Sequence, residues 1–178
     1  MTSHHGRLLT LKDGSRVPYV TQGAYADVFI DRHVYKVFKV EPENGLRETP
    51  RSVLDQKRRD TFETQVDAYK IAARDAVVAP HVPKLLGVGT AIAVHDAAGN
   101  DVSREYHLEC SYEMELQQGQ AQDLDHLSDN APQHIKDFAE RCMQIGIEYV
   151  RDASVFHRDY PETFVMIDFG TKEIDMPY

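Results

Sequence analysis

The chain is poor in cysteine, lacks an excess of positive charge and contains no long apolar run. Each shortage removes a class of function. Its two cysteines, Cys110 and Cys142, lie far apart and in no metal-ligand spacing. A disulfide scaffold or a zinc site is therefore not expected. Both read as small buried apolar residues of a reducing compartment. The formal net charge is −9, and the densest basic run, Lys57-Arg58-Arg59, is surrounded by acidic residues. Such a run reads as a solvated helix face, not as a surface that tracks nucleic-acid phosphates. No apolar stretch approaches the roughly 20 residues of a membrane span. The opening residues, Met1 to Gly6, lack the apolar core of a cleavable signal peptide. No repeat and no low-complexity tract is evident. The expectation is a cytoplasmic protein, with neither nucleic acid nor membrane as partner.

What is present suits a folded chain. Its 178 residues, 42% of them hydrophobic, can bury a core as one domain or as two small lobes. The first 40 residues read as an antiparallel meander. Short strands are expected at Arg7–Leu11, Val17–Val20, Asp27–Ile30 and Val34–Phe38, with a turn at Lys12–Ser15. A helix is expected from about Ser52 to Arg74, because Phe62, Gln65, Val66 and Tyr69 share one stripe. Pro80 and Pro83 break it. Leu85–Val94 and Glu105–Met114 read as two further strands around the turn Asp96–Asn100. Asp123–Leu127 offers a short helix at best. Gln133 to Asp152 reads as the strongest helix, since Ile135, Phe138, Cys142, Ile145 and Tyr149 recur at helical spacing. A short apolar strand, Phe164–Ile167, closes the pattern.

Two tripeptides carry the chemistry. His157-Arg158-Asp159 follows the long helix, and Asp168-Phe169-Gly170 follows the last strand. Together, in this order, they resemble the catalytic-loop and metal-binding motifs of protein kinases. Thr21-Gln22-Gly23-Ala24-Tyr25-Ala26-Asp27-Val28 resembles a reduced glycine-rich loop, in which small residues let the backbone approach phosphates. Val34-Tyr35-Lys36-Val37 resembles the strand whose lysine holds the α- and β-phosphates.

The resemblance spans residues 7 to 170 and implies an α+β, protein-kinase-like fold. Residues 1–116 would form an N-lobe of five antiparallel strands with one helix. Residues 117–178 would form a truncated helical C-lobe without an activation segment. The same resemblance implies roles. ATP would lie against Gly23, Ala24, Tyr25, Ala26, Val28 and Lys36. Gln65, or Glu63 if the helix is rotated, would partner Lys36. Glu113 and Glu115 would offer backbone groups to the base, beside Tyr112. Asp159 would orient the substrate hydroxyl, with Lys36 as its catalytic companion. Asp168 and Thr163 would hold Mg²⁺ or Mn²⁺.

The motif departs from the family in three ways. Asp159 and Asp168 stand close together with Thr163 in place of the usual metal-binding Asn, only eight residues follow Gly170, and the glycine loop and the helix glutamate are altered. Such truncation resembles the minimal effector kinases that bacterial pathogens place in a host cytosol. That implies a monomeric Ser/Thr kinase acting on a host protein, switched on by a bound partner instead of by loop phosphorylation. A pseudokinase or nucleotide-binding module, a small-molecule phosphotransferase and an unrelated acidic α+β domain remain the competing readings.

Overall fold

A computed structural model describes residues 4–23, 25–40, 51–123, 131–147, 150, 153–158 and 163–169. They group into two compact units. The first takes in Met1–Phe62 and Leu85–Leu116, the second Glu63–Lys84 and Gln117–Tyr178. The expected division after residue 116 gives the whole first helix to one part; the observed grouping divides that helix at residue 62.

The first unit is built on seven antiparallel strands. In chain order they are β1 (Leu8–Leu11), β2 (Arg16–Gln22), β3 (Ala26–Ile30), β4 (His33–Lys39), β5 (Leu85–Val88), β6 (Ala91–His95) and β7 (Tyr106–Glu115). Their spatial order is β5-β7-β4-β3-β2-β1-β6. β5 and β6 thus end opposite edges of the sheet, although only Gly89 and Thr90 separate them in the chain. So short a link forces the sheet to curl until its edges meet. Gly89 donates to the Ser111 carbonyl at 2.7 Å and Lys12 donates to the Thr90 carbonyl at 3.2 Å, which closes the seam. Strand alternation turns Leu9, Val17, Phe29, Tyr35, Val37 and Val94 to the inside of the curl, where they form one core cluster. The other face of β4 and β7 carries Phe38 and Tyr112, which meet Phe62 of helix α1 (Arg51–Ala72). The basic run of this helix is not wholly solvated as expected, since Arg58 is only 1% exposed.

The second unit contains the rest of α1 and a 3-10 turn at Ala79–His81. It also contains strand β8 (Gln120–Asp123), helix α2 (Gln133–Gln144), and strands β9 (Ser154–Arg158) and β10 (Thr163–Ile167). β9 lies between β8 and β10 in an antiparallel three-stranded sheet. The chain entering β8 runs close beside β9: a Cβ on Gly119 would meet the His157 carbonyl oxygen at 2.7 Å, so only glycine fits there. His81 stacks on Phe164 with ring centroids 4.4 Å apart, and its Nδ1 lies 3.1 Å from the Phe164 carbonyl oxygen.

The expected layout of a five-stranded lobe followed by a helical lobe is therefore corrected. The molecule is mostly β, with a seven-stranded curled sheet and two helices among the described residues. Two local causes account for the difference. Leu85–Val94 is not one strand but two, folded back at Gly89-Thr90. The helix expected over 133–152 stops at Gln144 because Gly146 takes a left-handed conformation, φ +97°. Ile147 then donates to the Cys142 carbonyl at 2.9 Å and Gly146 to the Met143 carbonyl at 3.1 Å. This pairing closes a helix end and satisfies its last carbonyls. The β-branched and aromatic residues of Ser154–Arg158 and Thr163–Ile167 then pair as a hairpin, with Val155 opposite Met166 and Phe156 opposite Val165. Of the short helix expected over 123–127, residues 124–127 lie outside the described residues, while Asp123 ends β8. No helix among the described residues is long and apolar enough to cross a membrane.

Candidate functional site

The candidate residues fall in both units, and each unit presents its own set.

In the first unit, Lys36 stands in the middle of β4, opposite Val28 on β3 and Tyr112 on β7. Cross-strand partners share a face, so Lys36 lies on the Tyr112 side of the sheet. Only 8% of it is exposed. Burial pushes its ammonium down to about 7, since desolvation disfavours the charged form. Lys39 lies on the opposite face of β4 and has a different task. Its Nζ donates to the Gly23 carbonyl at 3.0 Å and stands 3.6 Å from Asp27 Oδ1. Asp27 is fully buried and anchors a polar network. Its Oδ2 accepts from the Tyr106 hydroxyl at 2.6 Å and lies 2.8 Å from His4 Nδ1. Arg7 donates to the Tyr106 hydroxyl and, at 2.6 Å, to Glu105. Burial and the Asp27 carboxylate both raise the Tyr106 hydroxyl, so it stays a neutral donor. Oδ2 thus takes the hydrogen bonds, while Oδ1, without a hydrogen-bond partner among the described residues, faces the Lys39 ammonium as an ion pair; the charge is paired and structural.

The turn between β2 and β3 bears Gly23, whose N–H donates to the Ala26 carbonyl at 2.7 Å. A Cβ at Gly23 would meet the Ala26 carbonyl oxygen at 3.5 Å, an ordinary contact, so the fold does not require glycine there. Tyr25 carries the Lys57 ammonium over its ring at 5.8 Å. Val28 lies opposite Lys36, while Ala26 pairs with Phe38 and is buried. Ala24 lies outside the described residues. Glu113 sits within the ladder, opposite Tyr35 on β4 and Gly87 on β5. Its carboxylate lies 2.6 Å from His33 Nδ1 and accepts from the Tyr35 hydroxyl at 3.2 Å. Burial and that carboxylate push the Tyr35 hydroxyl up to about 12. The Glu113 backbone is thus enclosed by neighbouring strands, whereas Glu115, opposite His33, ends β7.

In the second unit, Gln65 and Tyr69 lie one turn apart on α1, and both are buried. Tyr69 is 1% exposed. Its hydroxyl accepts the backbone N–H of Asp168 at 3.3 Å, and its ring meets Phe169 edge-on at 5.4 Å. Asp168 follows β10 with φ +60°, the positive-φ residue other than glycine among the described residues. A left-handed conformation is uncommon for a residue with a Cβ, although aspartate bears it better than most, and such residues gather at turns and functional sites. Phe169 is fully buried beside it. Thr163 opens β10 opposite Arg158 of β9. Asp159 and Gly170 lie outside the described residues. Glu63, where the second unit takes up this helix, is exposed.

The sequence places Tyr69 only on an apolar helix stripe and gives no sign of what its hydroxyl does. Asp27 reads there as the start of a strand, with no hint of its network. No spacing signal announces either, because the tyrosine hydroxyl bonds that define them join positions 79 and 99 residues apart.

No cluster of three His, Cys, Asp or Glu residues able to hold a metal ion occurs among the described residues. Magnesium bound with a nucleotide needs only one or two carboxylates, the remaining ligands being phosphate and water. Asp168 offers one hard oxygen donor of the required kind. No protein-family model matches the chain, and no curated protein or solved structure matches it either.

Proposed function

We propose that the chain binds a magnesium-complexed adenine nucleotide and transfers its terminal phosphoryl group to a protein hydroxyl. The resemblance behind this reading is one of local motifs and roles, not of overall layout. The observation that carries it is Asp168: an aspartate in an uncommon left-handed conformation, just after a strand, followed by a fully buried phenylalanine.

Two features of the first unit support the same chemistry. Lys36 is a buried amine whose charge desolvation disfavours. A phosphate oxygen beside it would favour the charged form. Gly23 stands at a turn where the fold tolerates a Cβ, so close approach of a phosphate gives the glycine a reason. Asp168 would help to hold a magnesium ion, which would supply charge neutralisation at the phosphates. Lys36 would hold a phosphate oxygen, Asp168 would supply a carboxylate donor, and Asp159 would orient the attacking hydroxyl. The substrate would be a host-cell protein, and a partner protein would serve as activator.

Transfer from labelled ATP with Mg²⁺ or Mn²⁺ tests the proposal. Lys36→Met and Asp168→Asn should each lower transfer by roughly 100-fold or more, the scale of losing one charge-stabilising group. Undiminished transfer by Asp168→Asn would end the reading.

A second reading, a nucleotide-binding module without transfer, is favoured by Thr163. It stands where an amide ligand is expected and lies in the β9–β10 ladder opposite Arg158. Thermal stabilisation by ATP that ignores added Mg²⁺, together with no transfer, would select this module.

A further inference from the structure

Two contacts of Tyr69 bear on Asp168 and its neighbour, and packing explains only one of them. The ring meets the buried Phe169 ring edge-on, with centroids 5.4 Å apart at 73°. A phenylalanine at 69 would make that contact equally well. The hydroxyl does something a phenyl ring cannot. It accepts the N–H of Asp168 at 3.3 Å, from a helix residue 99 positions earlier. That N–H belongs to the residue whose φ is +60°.

A peptide unit is rigid and planar. Fixing the Asp168 N–H therefore fixes the orientation of the plane between Ile167 and Asp168. With Phe169 held at 0% exposure on the other side, the backbone of Asp168 is constrained from both ends. The carboxylate then leaves the main chain from a fixed Cα. Outer hydrogen bonds that orient a ligating group govern how tightly it holds a metal; here the bond acts one step back, on the backbone that carries the carboxylate.

We infer that Tyr69 is a positioning residue: its hydroxyl holds Asp168 in the left-handed conformation from which the carboxylate serves a magnesium–nucleotide complex. The inference rests on the proposed function. Gln65, or Glu63 if the helix is rotated, is the functional residue that the motif implies for this helix; the hydroxyl at 69 adds a role that the motif does not specify.

The test uses the full chain and two readouts. The first is amide hydrogen exchange at Asp168 without ligand. Tyr69→Phe removes one hydrogen bond and keeps the ring, so exchange should quicken roughly tenfold. The second is the Mg²⁺ concentration giving half-maximal thermal stabilisation at fixed ATP, in wild type, Tyr69→Phe and Asp168→Asn. Tyr69→Phe should raise that midpoint roughly tenfold, the lower end of outer-shell effects, with metal-free ATP affinity unchanged. Asp168→Asn should abolish the metal dependence. If Asp168→Asn abolishes it but Tyr69→Phe leaves the midpoint in place, the positioning role is overturned and the proposed function stands. Unchanged exchange at Asp168 in Tyr69→Phe likewise overturns the role. If the metal dependence survives Asp168→Asn, or wild type shows none, the proposed function fails and the positioning role falls with it.

Discussion

The first unit buries charge, whereas the second bends its backbone. Asp27, Lys36, Lys39, Arg7 and Arg58 are all nearly inaccessible in the first unit, while Gln65 is the buried polar side chain of the second among the described residues. The second unit instead carries its cost at Asp168, through φ +60°. Within the first unit a further contrast holds. Asp27 is paired with the Lys39 ammonium and takes hydrogen bonds at Oδ2. Lys36 is shifted by desolvation, which lowers it. A fold tolerates an expensive feature where another feature compensates or where function uses it. Asp27 belongs to the first kind. The proposed function assigns Asp168 to the second.

Removing the paired charge should have the largest effect. Asp27→Leu leaves the Lys39 ammonium buried without its carboxylate and the Tyr106 hydroxyl without its acceptor, and should cost roughly 3–5 kcal/mol in urea unfolding. A cost under about 1 kcal/mol would break the contrast by showing that the network is dispensable. Lys36 should behave in the opposite sense. Its folded value, about 7, lies below the ordinary 10.5. Between those two values the unfolded chain binds more protons than the folded one, so wild-type stability rises with pH across that window. The slope reaches about 1.4 kcal/mol per pH unit and vanishes below pH 7 and above pH 10.5. Lys36→Met should lose this contribution, which parallel unfolding series at about pH 6, 8 and 10 would reveal. Equal pH profiles for the two proteins would mean that the ammonium is not penalised.

Two substitutions in the second unit sharpen the backbone side of the comparison. Asp168→Gly relieves the left-handed strain and should stabilise the protein by up to about 1 kcal/mol while removing the carboxylate. Gly146→Ala imposes the same strain at φ +97°, where a Cβ meets nothing within 4 Å. It should destabilise by about 1 kcal/mol through conformation alone. If both changes lowered stability equally, Asp168 would not be strained. The smallest effect belongs to the surface. Arg59 and Glu109 pair at 3.0 Å but are 47% and 59% exposed. Arg59→Ala should therefore change stability by less than about 0.5 kcal/mol at physiological salt.

Much of the local pattern is legible in the sequence, and the misses have physical causes. The strands around Val17, Phe29 and Val37 and the helix through Phe62 and Tyr69 announce themselves by period, because each buries one face. The two-strand reading of Leu85–Val94 needs the turn at Gly89, which an apolar run conceals. The overlong helix at 133–152 passes over Gly146, although a glycine after a periodic run is a stop signal. The hairpin of β9 and β10 is hidden when its first strand is read as a loop around His157-Arg158-Asp159.

By itself the sequence determined which residues are chemically able: an early lysine, a late aspartate before Phe-Gly, and small residues at a turn. It also determined the periods that make β1 to β4 and α1, since these depend on neighbours a few positions away. The tertiary structure alone decided that Lys36 is buried while Lys39 is neutralised by Asp27. It alone decided that the sheet has seven strands and that a tyrosine hydroxyl grips the backbone of Asp168. Desolvation, sheet closure and long-range hydrogen bonds depend on what surrounds a residue in space, and spacing along the chain carries no record of that.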